Sequence, residues 1–369
     1  MMIKELVSYL EEWAPPGAAW EKDNIGLLVG AENQKLKKIF LCLELNRDSL
    51  EAAIKQNCNL IITHHPFIFK PFKKINFTKD PKAELLKQLI KNDIALFSAH
   101  TNLDFTKDGV SYELANRLGL KNITFLKSQE ANQLKIVVFV PNEFLENVST
   151  ALFDAGAGII GDYDKCSYRL EGTGTFFGGE ETSPVVGEKG KLEKVSETRL
   201  EVLVDQWKLN KVIKALLKSH PYEEPAYDIY PLKNKNVNYG FGAIGELERT
   251  YSQKEFLDLV IKKLKCKNLR YTEGKGRVKK VAVCGGSGAD LLNNAIISGA
   301  DAYVTADIKY HTFEEARGKL LLIDAGNYET EVPVLDVLKK RIINFLNEHN
   351  YTVDVIKFKG STNPVKFYK

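Results

Sequence analysis

The stretch Leu60-Ile61-Ile62-Thr63-His64-His65-Pro66-Phe67 constrains this chain more than any other. Its apolar run is short enough for a buried strand, and Pro66 stops regular pairing just beyond it. The whole chain holds six histidines, so two side by side is an unusual use of a scarce residue. Along a strand, neighbouring side chains point to opposite faces. Where a strand ends and the chain turns, both rings can reach one cavity while pointing at two places in it. That arrangement suits two metal ions better than one.

A chain of 369 residues is too long for one ordinary core, and two or three domains are expected. With 52 basic and 48 acidic residues, the balance argues against a nucleic-acid or membrane surface. No apolar run reaches the roughly 20 residues of a membrane helix. Met1–Trp13 carries acidic residues at helical periodicity, unlike a signal peptide. The five cysteines are scattered and lack the close pairing of zinc-binding cysteines. They read as reduced core thiols of a cytoplasmic protein.

Between residues 2 and 127 the pattern alternates helix and strand. Helices are expected over 2–13, 48–56, 81–91 and 109–118, and strands over 38–45, 58–63 and 94–98. Such alternation argues for parallel strands covered by helices, with functional groups at the carboxyl ends of the strands. His64, His65, His100 and Asp104 all fall there. From residue 128 to 235 the order becomes strand–helix–strand–strand–helix–strand, the ferredoxin-like arrangement. Glycine-rich turns are expected at 156–158, 172–174 and 178–179. After Asn238 the first pattern resumes through a long amphipathic helix at 333–349 and a last strand at 352–356. Three segments follow, 1–127, 128–235 and 236–369, the middle one inserted between two halves of a core.

The strand-end groups are His64, His65, His100, Asp104, Asp307, His311, Asp324 and Glu331. Imidazoles and carboxylates without cysteine suit zinc, iron or manganese. A bridging carboxylate can fix two ions about 3.5–4 Å apart, where they activate water and clamp an anionic leaving group. Asp104 reads equally as a cap for the following turn, and His100 as a partner orienting a ligand. Asp307 and His311 are four apart, on one face of a helical turn, and read as pocket lining or as a structural pair. Gly285-Gly286-Ser287-Gly288 lies between a strand and a helix. Tight packing there is favoured over a phosphate cradle, since the full dinucleotide and P-loop fingerprints are absent. His220-Pro221-Tyr222-Glu223-Glu224-Pro225 reads as structural or as part of an interface, in preference to catalysis.

Six stretches together resemble the Nif-three-like dinuclear metal-centre family, whose members are often called GTP cyclohydrolase 1 type 2 homologues. They are residues 23–30 (DNIGLLVG), 63–69 (THHPFIF), 99–104 (AHTNLD), 283–288 (VCGGSG), 307–311 (DIKYH) and 324–331 (DAGNYETE). The middle segment resembles that family's PII/CutA-like insertion, through Gly156-Ala157-Gly158 and residues 220–228. The resemblance implies a two-part α/β core with an inserted ferredoxin-like α+β domain. It implies metal ligands at His64, His65, Asp104 and a bridging Glu331, and a toroidal hexamer built as a trimer of dimers. Three positions depart from the family pattern. Asn327 stands where a histidine ligand is usual, Glu44 replaces an aspartate, and Ala306 replaces a glycine. Asn327 offers a weak neutral oxygen in place of an imidazole, so the second ion is expected to bind weakly or not at all.

The leading expectation is a hydrolase with two divalent ions (zinc, iron or manganese), acting on a nucleotide-like substrate while His100 or His311 moves protons. The alternative is a non-enzymatic metal-handling or regulatory ring with a small-molecule-sensing insert. A nucleic-acid clamp is disfavoured by the near-neutral charge.

Overall fold

The protein is described from a computed structural model covering residues 1–130, 132–181 and 185–368. It divides into two compact units, one made of Met1–Ser128 with Tyr239–Lys369 and the other of Gln129–Asn238.

Among the described residues, the first unit holds two sheets. In the first, strands run in the order Gly26–Val29, Ala95–Ser98, Leu60–Thr63, Lys38–Cys42, Asp354–Lys357. Lys38–Cys42, Leu60–Thr63, Ala95–Ser98 and Asp354–Lys357 are parallel, and Gly26–Val29 is antiparallel at one edge. The central strands are buried on both faces, which is why they read as continuous apolar runs without alternation. One face packs against the helices Ile3–Trp13 and Val334–Glu348, through Leu6, Leu10, Leu338 and Ile342. The other packs through Phe40, Ile61 and Leu96 against the helices Arg47–Lys55 and Pro81–Lys91. Local chemistry sets the helix starts. Asn46 accepts from the Ser49 amide at 2.9 Å, and Asp80 caps a helix that begins with Pro81.

The second sheet has the order Arg270–Thr272, Leu321–Asp324, Ala302–Ala306, Val278–Ser287, Lys235–Tyr251, Lys121–Glu130. Its three middle strands, from Val278 to Asp324, are again parallel. The two halves thus repeat one plan. Sequence patterning misses the strands Lys121–Glu130 and Lys235–Tyr251, the neighbours that lead into and out of the second unit. Polar residues make up much of Lys121–Glu130, and glycines interrupt Lys235–Tyr251, so neither shows a clean apolar period.

The second unit runs strand–helix–strand–strand–helix–strand. Its sheet order is Ser167–Phe177, Leu192–Asp205, Gln133–Pro141, Tyr227–Leu232, with all neighbours antiparallel. The helices Leu145–Asp154 and Leu209–Ser219 cover one face through Val148, Leu152, Val212 and Leu216. The expected turn at Gly172-Thr173-Gly174 is instead the interior of a long strand, paired without a break from Ser167↔Val202 to Phe177↔Leu192. A Cβ at Gly174 would lie 1.9 Å from Glu197 Oε2, so the missing side chain makes room for a neighbour's carboxylate. The first of the two glycines of that expected final turn, Gly178, is likewise bridged, to Lys189.

No helix among the described residues is long and apolar enough to cross a membrane. All five cysteines are free thiols.

Candidate metal centre

The parallel register brings Cys42, Thr63 and Ser98 level, so the three strands end together. Thr63 and Ser98 join their hydroxyls at 2.7 Å at that edge. Beyond it the chain turns sharply, and the amides of His64 and His65 both donate to the Leu43 carbonyl, at 3.1 and 3.0 Å. This shared acceptor releases the two rings from strict strand alternation and lets both face one space. Their centroids are 5.0 Å apart, and the His100 ring lies 5.3 and 5.5 Å from them.

All three imidazoles are anchored through Nδ1. His64 Nδ1 is 2.8 Å from the Ala99 carbonyl, which fixes it as the donor nitrogen. His65 Nδ1 is 3.1 Å from Glu44 Oε1. His100 Nδ1 is 2.9 Å from both oxygens of Asp23. Carboxylates and carbonyls behind imidazoles in this way are the usual support of metal-binding histidines. Ring nitrogens of the three residues come within 4.8 Å of one another, close enough to hold a metal ion.

Two carboxylates complete the group. His64 Nε2 lies 3.6 Å from Asp104 Oδ1 and 3.9 Å from Glu331 Oε1. His65 Nε2 lies 2.9 Å from Glu331 Oε2. Asp104 ends the short helix Thr101–Asp104 after one sheet, and Glu331 ends Asn327–Glu331 after the other. The site therefore draws on both halves of the first unit.

The electrostatics call for a cation. Burial, then the charge of Glu331, pushes Asp104 well above the usual carboxylate range. Burial and the two neighbouring imidazoles hold His64 well below its ordinary value, so its ring is neutral. Against burial, Glu331 and Glu44 lift His65 to about 10. Burial first, and Asp104 next, push the Cys284 thiol to about 12, so it stays protonated behind the site. Among the described residues, Glu44 Oε2, His64 Nε2 and Asp104 Oδ1 are buried without a hydrogen-bond partner. Native interiors rarely leave such atoms orphaned. Their chemistry, nitrogen and oxygen without sulfur, fits a divalent ion such as zinc, iron or manganese.

Other residues fall elsewhere. His311 is exposed on the helix Tyr310–Ala316, with its ring edge-on to Tyr310 at 5.4 Å, and is not among the three converging imidazoles. Asp324 is bound to Arg270 and to the Ile308 amide, a structural role. Asn327 donates to Asp307 Oδ2 at 3.1 Å. In Gly285-Gly286 the two amides are taken by the hydroxyls of Ser111 and Thr330, which leaves no phosphate cradle there. His220 is buried and structural, bound to the Phe139 carbonyl and the Tyr222 amide. Sequence reasoning misses Asp23 and the positioning part of Glu44. Both stand beside apolar strands, and nothing in their spacing marks the imidazoles they meet.

The match to known proteins covers the chain from end to end. Residues 1–364 match the family model Duf34/NIF3 (NGG1p interacting factor 3). A protein of Halalkalibacterium halodurans named GTP cyclohydrolase 1 type 2 homolog is 37% identical over 365 residues, 98% of each chain. A Bacillus subtilis protein of the same name is 37% identical over 367 residues, 99% of this chain and 98% of that one. The crystal structure of a Bacillus cereus protein related to NIF3 superposes with a TM-score of 0.86 at 37% identity, covering 100% of this chain and 99% of that one. The chain belongs to the Duf34/NIF3 family.

Proposed function

We propose that this chain binds divalent metal through His64, His65, Asp104 and Glu331, with Glu331 shared between two ions, and hydrolyses a nucleotide-like substrate. The observation that supports this most is the convergence of orphaned donors. His64 Nε2 and Asp104 Oδ1 are buried, unpartnered and drawn from separate places in the chain, and Glu331 reaches both His64 and His65. Their relatives' name, GTP cyclohydrolase 1 type 2 homolog, points to the same reaction class.

A divalent pair supplies Lewis acidity and lowers the pKa of bound water. The chain's own groups do the rest. Asp23 holds the His100 proton on Nδ1, so Nε2 keeps its lone pair and can accept a proton from water or substrate. His100, inside the cluster, takes this part in preference to the exposed His311. Glu44 and the Ala99 carbonyl hold the other two rings in ligating orientation. The low exposure of His64 and Glu331 keeps bulk water from competing for them.

Asn327 favours a second reading, a metal-handling protein with one firm ion. Its amide is already committed to Asp307. We further propose that the second unit is a PII/CutA-like module, on the support of its strand order and helix placement. A ring of six chains is proposed with it, and light scattering should then read about six times 41.6 kDa. A monomer mass would contradict that assembly.

The test is turnover of GTP and of phosphodiesters by metal-stripped protein reloaded with zinc, manganese or iron, beside His65→Ala. Metal-dependent turnover lost in the variant supports the enzyme. Metal uptake with no turnover supports the second reading. An Asn327→His variant should raise bound metal toward two ions per chain, and unchanged stoichiometry would count against the ligand set.

A further inference from the structure

The chain as a whole is nearly balanced in charge, yet one pocket of about 860 Å³ in the first unit is not. Its wall carries Lys265, Lys267, Lys339, Lys357, Lys359 and Lys366 against a single carboxylate, Glu329. Four of these, Lys265, Lys267, Lys339 and Lys359, have no ion-pair partner among the described residues. Lys357 is paired with Asp336, and Lys366 donates to the Asn363 carbonyl at 3.3 Å. Glu329 is itself engaged by the Asn363 amide at 3.0 Å, which weakens its claim on the lysines.

A second observation is independent of the charge. Thr362 lines the same pocket, is 9% exposed, and its hydroxyl has no hydrogen-bond partner. A buried hydroxyl without a partner costs free energy, and a ligand oxygen would satisfy it. The remaining wall is apolar and partly aromatic, with Tyr328, Phe358 and Phe367 beside Val332 and Leu335. Free ammonium groups recognise phosphoryl oxygens as point charges, and aromatic walls take flat rings. The volume falls within the range of small-molecule sites, about 300–1,000 Å³.

We infer that this lysine-walled pocket binds a small phosphorylated molecule carrying an aromatic ring, the class to which mononucleotides belong. The lysines neutralise its phosphates, Thr362 donates to a phosphoryl oxygen, and the ring lies on the aromatic wall. The pocket borders the metal cluster in the chain itself. Tyr328 and Glu329 share a short helix with Glu331, and the Leu43 carbonyl that holds His64 and His65 belongs to a pocket residue. Binding stands on the pocket alone. That the bound molecule is also the substrate of the metal centre rests on the function proposed above.

The experiment is titration calorimetry on the full-length, metal-stripped chain with GTP, ATP and inorganic pyrophosphate. The nucleotides should bind, and more tightly than pyrophosphate, because only they cover the aromatic wall. Raising salt from about 0.05 to about 0.2 M should weaken binding several-fold. The exposed double variant Lys267→Glu with Lys359→Glu should lose at least about tenfold in affinity, and Thr362→Val a few-fold. His65→Ala should bind nucleotide as the parent does, so failure of the metal reading leaves this result standing. Absence of nucleotide binding, equal binding of pyrophosphate, or parental affinity in the lysine variant would each overturn the inference. So would tight binding of single-stranded RNA where mononucleotides do not bind.

Discussion

His100 Nδ1 lies 2.9 Å from both carboxylate oxygens of Asp23, a residue 77 positions earlier in the chain. Asp23 is itself fixed by the amide of Thr101 at 3.1 Å and by its hydroxyl at 2.5 Å. Those partners, against the opposing effect of burial, hold the Asp23 carboxyl down to about 2. The carboxylate is therefore charged at neutral pH and can only accept, which dictates where the imidazole keeps its proton. An Asp23→Asn variant can turn a donor toward the ring. His100 should then shift to the Nε2-protonated tautomer, read by nitrogen NMR of the imidazole, and lose about 10–100-fold in metal-dependent function. An unchanged tautomer would break the proposed link.

Burial, and then the nearby charge of Glu331, make Asp104 costly to ionise in the absence of a cation. Asp104→Asn should therefore stabilise the metal-free protein, by roughly 1–3 kcal/mol. The same variant should lose the stabilisation that metal gives, about 2.7 kcal/mol at a hundredfold excess over Kd for the parent. Thermal melts with and without zinc check both signs at once. A purely structural carboxylate would show the reverse, with the variant melting lower in metal-free buffer.

In the second unit, His220 is neutral by construction. Its Nε2 lies 3.0 Å from the Phe139 carbonyl and donates to it, while Nδ1 accepts from the Tyr222 amide at 3.1 Å. Burial holds its pKa below the ordinary value of 6.5. Protonation would set a second donor against the Tyr222 N–H. Because the folded pKa is depressed, the stability this residue contributes is fully present above about pH 6.5 and is lost as pH falls through the folded pKa. The second unit should melt progressively lower below that pH. His220→Gln, whose amide can both donate and accept, should flatten the slope, and an unaltered slope would assign the acid lability to other groups.

How much of this was legible in the sequence follows from what each feature needs. The paired histidines announced themselves because a strand must end before two neighbours can face one cavity. Parallel strands wrapped in helices were readable from short apolar runs set between amphipathic segments. The strands Lys121–Glu130 and Lys235–Tyr251 were not, since polar residues break the pattern of the first and glycines that of the second. Gly174 reads as a turn in the sequence because its purpose, leaving space for the Glu197 carboxylate, belongs to a neighbouring strand. Asp23 and the orphaned Thr362 hydroxyl were equally silent. Their meaning is a contact made across long separations, and spacing along the chain carries no trace of it.

Metal uptake measures directly whether His64, His65, Asp104 and Glu331 hold metal. Metal-stripped protein is dialysed against zinc or manganese, washed, and analysed for bound metal per chain, beside a Glu331→Ala variant whose fold is checked by circular dichroism. At least one tightly held ion is expected in the parent, with loss of that ion in the folded variant. Metal-free parent protein after loading, or equal metal in both, would contradict that ligand set.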